Sequence, residues 1–350
     1  MQTIKVGLVG VTGYAGMELL RLLERHPGFE LTTVTSRQQS GQRVQDIFPQ
    51  FLDSAAGQIQ ITGPDPQTLA RDCSLVFLAV PQGTALQMAP ELLAQGLKVV
   101  DFSADFRLRS APVYTRWYGL EHTSPELLTQ AVYGLPELYS CSIQQASLLA
   151  NPGCYPTSVL LALKPALQQS LIQPEGIIVD AKSGASGAGR SLKQDTLFCE
   201  VHDDFRAYGL TKHRHTPEME QELGLMAGRE MQISFNPHLL PAQRGILSSI
   251  YCLPVPGVTE QDLRQAYQEA YSQEPWVRIL PPGVLPRLSW VRGTMFCDIS
   301  LVLDSRLNRL IILSAIDNLC RGASGQALAN ANLMSGYPQE LGLQLPALTP

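Results

Sequence analysis

The chain has 350 residues, a net charge of −5 and a pI near 5.7, with 45% hydrophobic and 16% charged residues. That is globular composition with length enough for two domains, and 26 Lys plus Arg against 31 Asp plus Glu lack a nucleic-acid binder's basic surplus. No run of eighteen apolar residues offers a membrane span, and Met1 to Val6 enters an apolar strand without the charged n-region and cleavage site of a signal peptide.

In chain order, the apolar run Ile4 to Val9 reads as a buried strand and Met17 to Glu24 as a helix ended by His26-Pro27-Gly28. Strands are expected over Phe29 to Thr35, Ser74 to Val80 and Leu97 to Phe102, with a helix over Ala85 to Ala94. Strand–helix–strand repetition with near-continuous apolar strands implies an α/β fold, a Rossmann-type, doubly wound parallel sheet. From Ser110 to Leu149 the pattern loosens. A helix over Pro156 to Gln168 follows, then strands at Gly176 to Ala181, Gln232 to Phe235, Gly245 to Val255 and Phe296 to Asp304. Thr259 caps a helix over Glu260 to Tyr271. A last helix is expected over Ser314 to Met334. The division implied is a dinucleotide-binding domain over 1–150, completed by a C-terminal helix in 314–350. A second α+β domain with a mixed sheet, over 151–313, would carry catalysis, substrate and dimerisation.

The first strand runs into Gly10-Val11-Thr12-Gly13-Tyr14-Ala15-Gly16 before a helix. Glycines at this spacing allow a tight turn and close backbone approach, and the free N–H groups of the helix start suit a pyrophosphate. Gly10, Thr12, Gly13, Tyr14, Ala15 and Gly16 are therefore candidate cofactor contacts. Where an NAD site places an acidic residue after the second strand, this chain has Ser36-Arg37. A hydroxyl and a guanidinium suit a 2′-phosphate, so NADP is expected. Ser183 and Gly184 open a small-residue loop, Ser183-Gly184-Ala185-Ser186-Gly187-Ala188-Gly189-Arg190, that would let backbone approach a substrate or the nicotinamide.

The seven cysteines (73, 141, 154, 199, 252, 297, 320) form an odd set without a CxxC pair, which fits a reducing, cytoplasmic setting and neither a disulfide framework nor a metal site. Cys154 stands apart. In Asn151-Pro152-Gly153-Cys154-Tyr155-Pro156-Thr157 it precedes an apolar helix, whose dipole favours the thiolate and whose N–H groups suit an oxyanion. Its acid/base partner is sought in Lys212-His213-Arg214-His215-Thr216-Pro217-Glu218, the most cationic histidine cluster. A metal at His-x-His plus Glu218 lacks a third ligand pattern. Ser103 and Arg107, in Asp101-Phe102-Ser103-Ala104-Asp105-Phe106-Arg107 at the carboxyl edge of a parallel strand, read as an anion site.

These segments, with Gly322-Ala323-Ser324-Gly325-Gln326-Ala327 and Asn332-Leu333-Met334, make the chain resemble the N-acetyl-gamma-glutamyl-phosphate reductases over nearly its whole length. The resemblance implies NADPH-dependent reduction of N-acetyl-glutamyl 5-phosphate to the 5-semialdehyde, with release of phosphate, in arginine biosynthesis. It implies Cys154 as nucleophile, His215 as general acid/base with His213 next, Arg107 with Ser103 on the substrate phosphate, and Asn332 near the cofactor. Ala329 and Ala331 replace the Gln and Met of the family pattern. The related aspartate-semialdehyde dehydrogenases, a carrier-protein-linked reductase of lysine biosynthesis and a catalytically dead NADP sensor are the alternatives. The partners expected are a small acyl phosphate and a second copy of the chain, as homodimer or homotetramer, with neither nucleic acid nor membrane.

Overall fold

A computed structural model describes residues 3–348 as two compact units. One runs up to Pro152 and includes Ala323–Gln344; the other is Gly153–Gly322 with the segment from Leu345.

The first unit is built on six parallel strands, β1 (Ile4–Val9), β2 (Phe29–Thr35), β3 (Leu75–Leu78), β4 (Lys98–Asp101), β5 (Val132–Tyr133) and β6 (Leu148–Ala150). Their order is β2-β1-β3-β4-β6-β5. Every residue of β3 and β6 is buried, as strands covered on both faces must be. The order reverses beside β1, so the crevice at its carboxyl end, where Gly10 begins, is the place such sheets bind ligands. The loosely patterned stretch 110–149 holds the helices Ala111–Tyr118 and Pro136–Gln145 and the short strand β5.

The second unit carries a mixed sheet of β7 (Ile178–Gly184), β8 (Arg206–Ala207), β9 (Ser234–Leu240), β10 (Ile246–Cys252), β11 (Val277–Ile279), β12 (Cys297–Asp304) and β13 (Arg309–Ile316). They lie in the order β11-β12-β13-β10-β7-β9-β8. The register pairs Ile250 with Ile312 and with Val179, all fully buried, against the helix Cys154–Gln168. That helix is apolar around nearly its whole circumference and buries twelve of its fifteen residues, as a central helix does. The alternate positions, among them Ile178, Asp180, Lys182, Leu247, Tyr251, Ile311 and Leu313, lie on the other face and stay partly or fully exposed. The period of two thus leaves one sheet face uncovered by this unit's central helix.

The expected last helix over Ser314 to Met334 is corrected. Ser314 to Ile316 end β13, paired with both β10 and β12; burial alternates with a period of two from Arg309 to Ser314, and Ala315 and Ile316 are buried as well. A π-helical turn, Cys320–Ser324, then leads to a helix of ten residues, Gly325–Met334, and no helix follows it among the described residues. The strand expected at Gln232 to Phe235 runs instead from Ser234 to Leu240, the other expected strands and helices fall within about three residues of their bounds, and helix Glu260–Tyr271 carries the full capping box with Thr259.

Candidate active site

In the second unit Cys154 is the first residue of its helix, partly exposed, with Gly153 as N-cap in extended backbone. The Gly153 carbonyl accepts from the Thr157 N–H at 3.0 Å and the Thr157 hydroxyl at 2.9 Å, closing the first turn. Pro156 sits where its missing N–H would have had no intrahelical acceptor, while the Cys154 and Tyr155 N–H groups point out of the turn. Glycines flank the thiol. A Cβ on Gly322 would lie 2.7 Å from the Cys154 Cβ, and one on Gly153 would lie 2.6 Å from His215 Nε2. The His215 ring therefore lies against the backbone that carries Cys154.

The π-helical turn that brings Gly322 to Cys154 is held by Asp317. Its carbonyl accepts the Gly322 N–H at 2.9 Å. Its fully buried carboxylate pairs with Arg244 at 2.8 and 2.9 Å and accepts the N–H groups of Gly293, Leu319 and Cys320.

The two histidines differ. His213 Nδ1 accepts the His215 backbone N–H at 3.1 Å, and its ring packs edge-on against Tyr155, Tyr208, Phe235 and His215. Burial, and secondarily the Arg214 charge, push its pKa down to about 4. His213 is thus neutral near pH 7 and serves to fix the turn at which His215 caps helix Thr216–Ala227. Glu218, in that helix's first turn, is fully buried and accepts the Gly153 N–H at 2.8 Å. Among the other thiols Cys73, Cys252, Cys297 and Cys320 are buried and Cys141 and Cys199 exposed. Burial pushes Cys252 up to about 12. Among the described residues no group of three or more His, Cys, Asp or Glu is arranged to hold a metal.

Ser183 is buried, with its hydroxyl on the Gly184 carbonyl, and Gly184 packs on the 242–244 backbone so closely that a Cβ would lie within 2.9 Å of it. Both belong to the unit of Cys154 rather than that of the glycine turn.

In the first unit Gly10 has φ +90°, and a Cβ there would lie 2.2 Å from the Ala79 carbonyl oxygen. A Cβ on Gly16 would lie 2.4 Å from the Gly10 oxygen, so helix Tyr14–Leu23 packs on the turn only through glycine. Gly13, the N-cap, has room for a Cβ, the Gly10 oxygen lying 3.8 Å from it, and offers no side-chain cap, which leaves the first-turn N–H groups directed outward. Beside this cradle Ser36 is buried at the end of β2 and Arg37 is exposed. The Ser324 hydroxyl donates to the Ala15 carbonyl at 2.7 Å, bringing the C-terminal segment to the same helix start.

Two of the expected contact residues also bond within the protein. Asn332 is fully buried on helix Gly325–Met334, and its amide donates to the Gln339 and Leu341 carbonyls, the latter also bound by His26. His26 follows the C-terminal end of helix Tyr14–Leu23, and Asn332 Oδ1 is buried without a hydrogen-bond donor among the described residues. The Ser103 hydroxyl donates to Asp101 at 2.7 Å and accepts the Asp105 N–H at 3.1 Å. Burial, with the nearby Asp105 charge, pushes Asp101 up to about 7. Arg107 is mostly buried and donates from Nε to the Asn151 carbonyl and from Nη2 to the Phe102 carbonyl, both at 2.7 Å.

The sequence reading missed a buried amide cluster at the carboxyl edge of the same sheet. Gln326 and Asn330 both donate to the Gly134 carbonyl, at 2.8 and 2.7 Å, and Asn330 also reaches Asn151 Oδ1. Oε1 of Gln326 and Oδ1 of Asn330 are buried without a hydrogen-bond donor among the described residues. A ligand bearing N–H donors, such as a carboxamide, would satisfy them. The glycine cradle and these two acceptors fit a nicotinamide dinucleotide. In sequence the amides read only as helix residues.

Two family models match the chain: the semialdehyde dehydrogenase NAD binding domain over residues 5–146 and the semialdehyde dehydrogenase dimerisation domain over 154–318. The N-acetyl-gamma-glutamyl-phosphate reductase of Citrifermentans bemidjiense is 50% identical over 348 residues, covering 99% of this chain and all of the relative. That of Pelotomaculum thermopropionicum is 46% identical over 349 residues, 99% of each chain. Among solved structures, aspartate semialdehyde dehydrogenase II of Vibrio cholerae aligns with a TM-score of 0.72 at 14% identity, over 96% of this chain and 99% of that one. The Candida albicans aspartate semialdehyde dehydrogenase with NADP aligns with a TM-score of 0.70 at 16% identity, over 95% and 99%. At such identities these two speak for the fold alone.

Proposed function

The chain belongs to the N-acetyl-gamma-glutamyl-phosphate reductase family, and from that premise we propose that it reduces N-acetyl-glutamyl 5-phosphate to N-acetyl-glutamate 5-semialdehyde, in arginine biosynthesis, through a thioester on Cys154. The observation that carries the reading is the Cys154 turn: a thiol opening a buried helix, with His215 lying against the adjacent Gly153.

The Cys154 thiolate attacks the acyl carbonyl carbon, the C–O bond to phosphate breaks, and inorganic phosphate leaves with that electron pair. N–H groups of the helix start hold the oxyanion. When bound, the reduced dinucleotide supplies the hydride that takes the acyl carbon to the aldehyde level. His215 holds the proton that the Cys154 sulfur receives as the C–S bond breaks, and Arg107 offers a cation to the substrate phosphate. The glycine turn from Gly10 to Gly16 would cradle the pyrophosphate, and Ser36 with Arg37 supports NADP as the dinucleotide. An odd set of seven cysteines without a CxxC pair supports a reducing, cytoplasmic setting. A second copy of the chain is proposed to cover the open face of the mixed sheet, in keeping with the matched dimerisation domain.

The test is the reverse assay, NADP reduction with phosphate and either N-acetyl-glutamate semialdehyde or aspartate semialdehyde. The acetylated five-carbon aldehyde should be preferred; preference for aspartate semialdehyde would sink the substrate assignment. Cys154→Ala should bind NADPH and show no turnover.

A further inference from the structure

We propose that Glu218 is a positioning residue for the Cys154–His215 pair, and this rests on the roles given to those two residues above. Glu218 lies three residues after His215, on the first turn of the helix that His215 caps, so the two side chains share one helix face. Its carboxylate reaches to the other helix and accepts the Gly153 N–H at 2.8 Å. Gly153 is the N-cap of the helix that Cys154 opens, and it is also the residue whose Cα the His215 ring covers. One side chain therefore ties the backbone that aims the thiol to the helix that aims the imidazole.

The surroundings give this tie its weight. Glu218 is fully buried, and a carboxylate at such a position costs desolvation that an apolar residue would avoid. The Gly153 N–H is buried too, so without Glu218 it would lose the acceptor the fold gives it and the turn would move to find another. Of the polar groups near His215, His213 accepts the His215 backbone N–H, and the Tyr155 hydroxyl meets that of Tyr208 at 3.0 Å. Misplacing reacting groups by about 1 Å costs on the order of 100-fold in rate with little change in substrate binding.

Two variants test it in the reverse assay with NADP, phosphate and N-acetyl-glutamate semialdehyde, alongside thermal melts and the rate of Cys154 alkylation by iodoacetamide. Glu218→Ala should lower kcat about 100-fold with KM within about threefold, and should slow alkylation. Glu218→Gln keeps an oxygen acceptor for the Gly153 N–H and should hold kcat within about tenfold of the parent. Parental kcat in Glu218→Ala, a loss confined to KM, or a Gln variant no faster than the Ala variant overturns the proposal. Should Glu218→Ala not fold, the Gln variant decides alone: a native melt with kcat within that tenfold supports the role, and a larger loss overturns it. Cys154→Ala run in parallel separates the two readings. Turnover there defeats the covalent reaction itself, whereas an inert Cys154→Ala beside a fully active Glu218→Ala defeats only the positioning role.

Discussion

His213 and His215 stand two residues apart and differ in chemistry because their surroundings differ. His213 is enclosed by aromatic rings beside the Arg214 charge, and its pKa falls to about 4, against about 6.5 in an unfolded chain. Below about pH 6.5 the unfolded chain therefore binds a proton that the folded one refuses, and stability drops as pH falls from there toward about 4. Above pH 6.5 the group adds no pH dependence. His213→Asn, whose amide oxygen can still accept the His215 N–H, should remove about 1 kcal/mol of the stability difference between pH 7 and pH 5, allowing for partial exposure. Urea midpoints at the two pH values measure it, and an unchanged difference would refute the assignment. Arg37 makes the second prediction at this scale. It is exposed beside buried Ser36 at the carboxyl end of β2. Arg37→Ala should weaken NADPH binding roughly 10- to 100-fold, the scale of a charge-assisted contact, and leave NADH binding nearly unchanged. Calorimetric titration of both cofactors decides it; equal losses exclude a 2′-phosphate role.

The helix Cys154–Gln168 shows how an element is kept intact so that its first residue can act. Pro165 lies inside it and cannot donate to the Leu161 carbonyl four residues earlier. Tyr271, on the capped helix Glu260–Tyr271, donates its hydroxyl to that carbonyl at 2.5 Å, and Tyr267 does the same for Ala162. Ser158 anchors the same helix to the sheet through Ser248 and Ser314. Tyr271→Phe leaves the Leu161 oxygen buried and unpaired and should cost about 1–3 kcal/mol in chemical denaturation. Because the loss is about two turns from the thiol, kcat of the folded enzyme should be retained. A variant as stable as the parent would show that the tyrosine does not substitute for the missing N–H.

At the scale of the whole molecule, the mixed sheet is covered by the cysteine helix on one face and leaves Leu247, Tyr251, Ile311 and Leu313 partly exposed on the other. Apolar residues in a contiguous row at an uncovered face mark an association surface. Leu313→Asp would place a carboxylate there, at a position whose own unit loses little by it. Its mass by light scattering should fall to that of one chain at micromolar concentration, while the far-UV spectrum stays unchanged. An assembly of the parent's mass would rule this face out as the contact.

The sequence by itself determined the α/β class, the glycine turn, the cysteine at the helix start and the capped helix Glu260–Tyr271, since each rests on local periodicity, capping or backbone freedom. It misread Ser314 to Ile316 as helix because pairing with β10 and β12, distant in the chain, decides that segment. It offered Asn332 and Ser103 as ligand contacts, and only the tertiary structure shows that the Asn332 amide also holds the Gln339 and Leu341 carbonyls and the Ser103 hydroxyl holds Asp101. The packing of Gly322 on Cys154, the Glu218 contact to Gly153 and the neutral His213 belong to tertiary structure alone. They arise from contacts between segments far apart in sequence, and from burial that no short window of residues encodes.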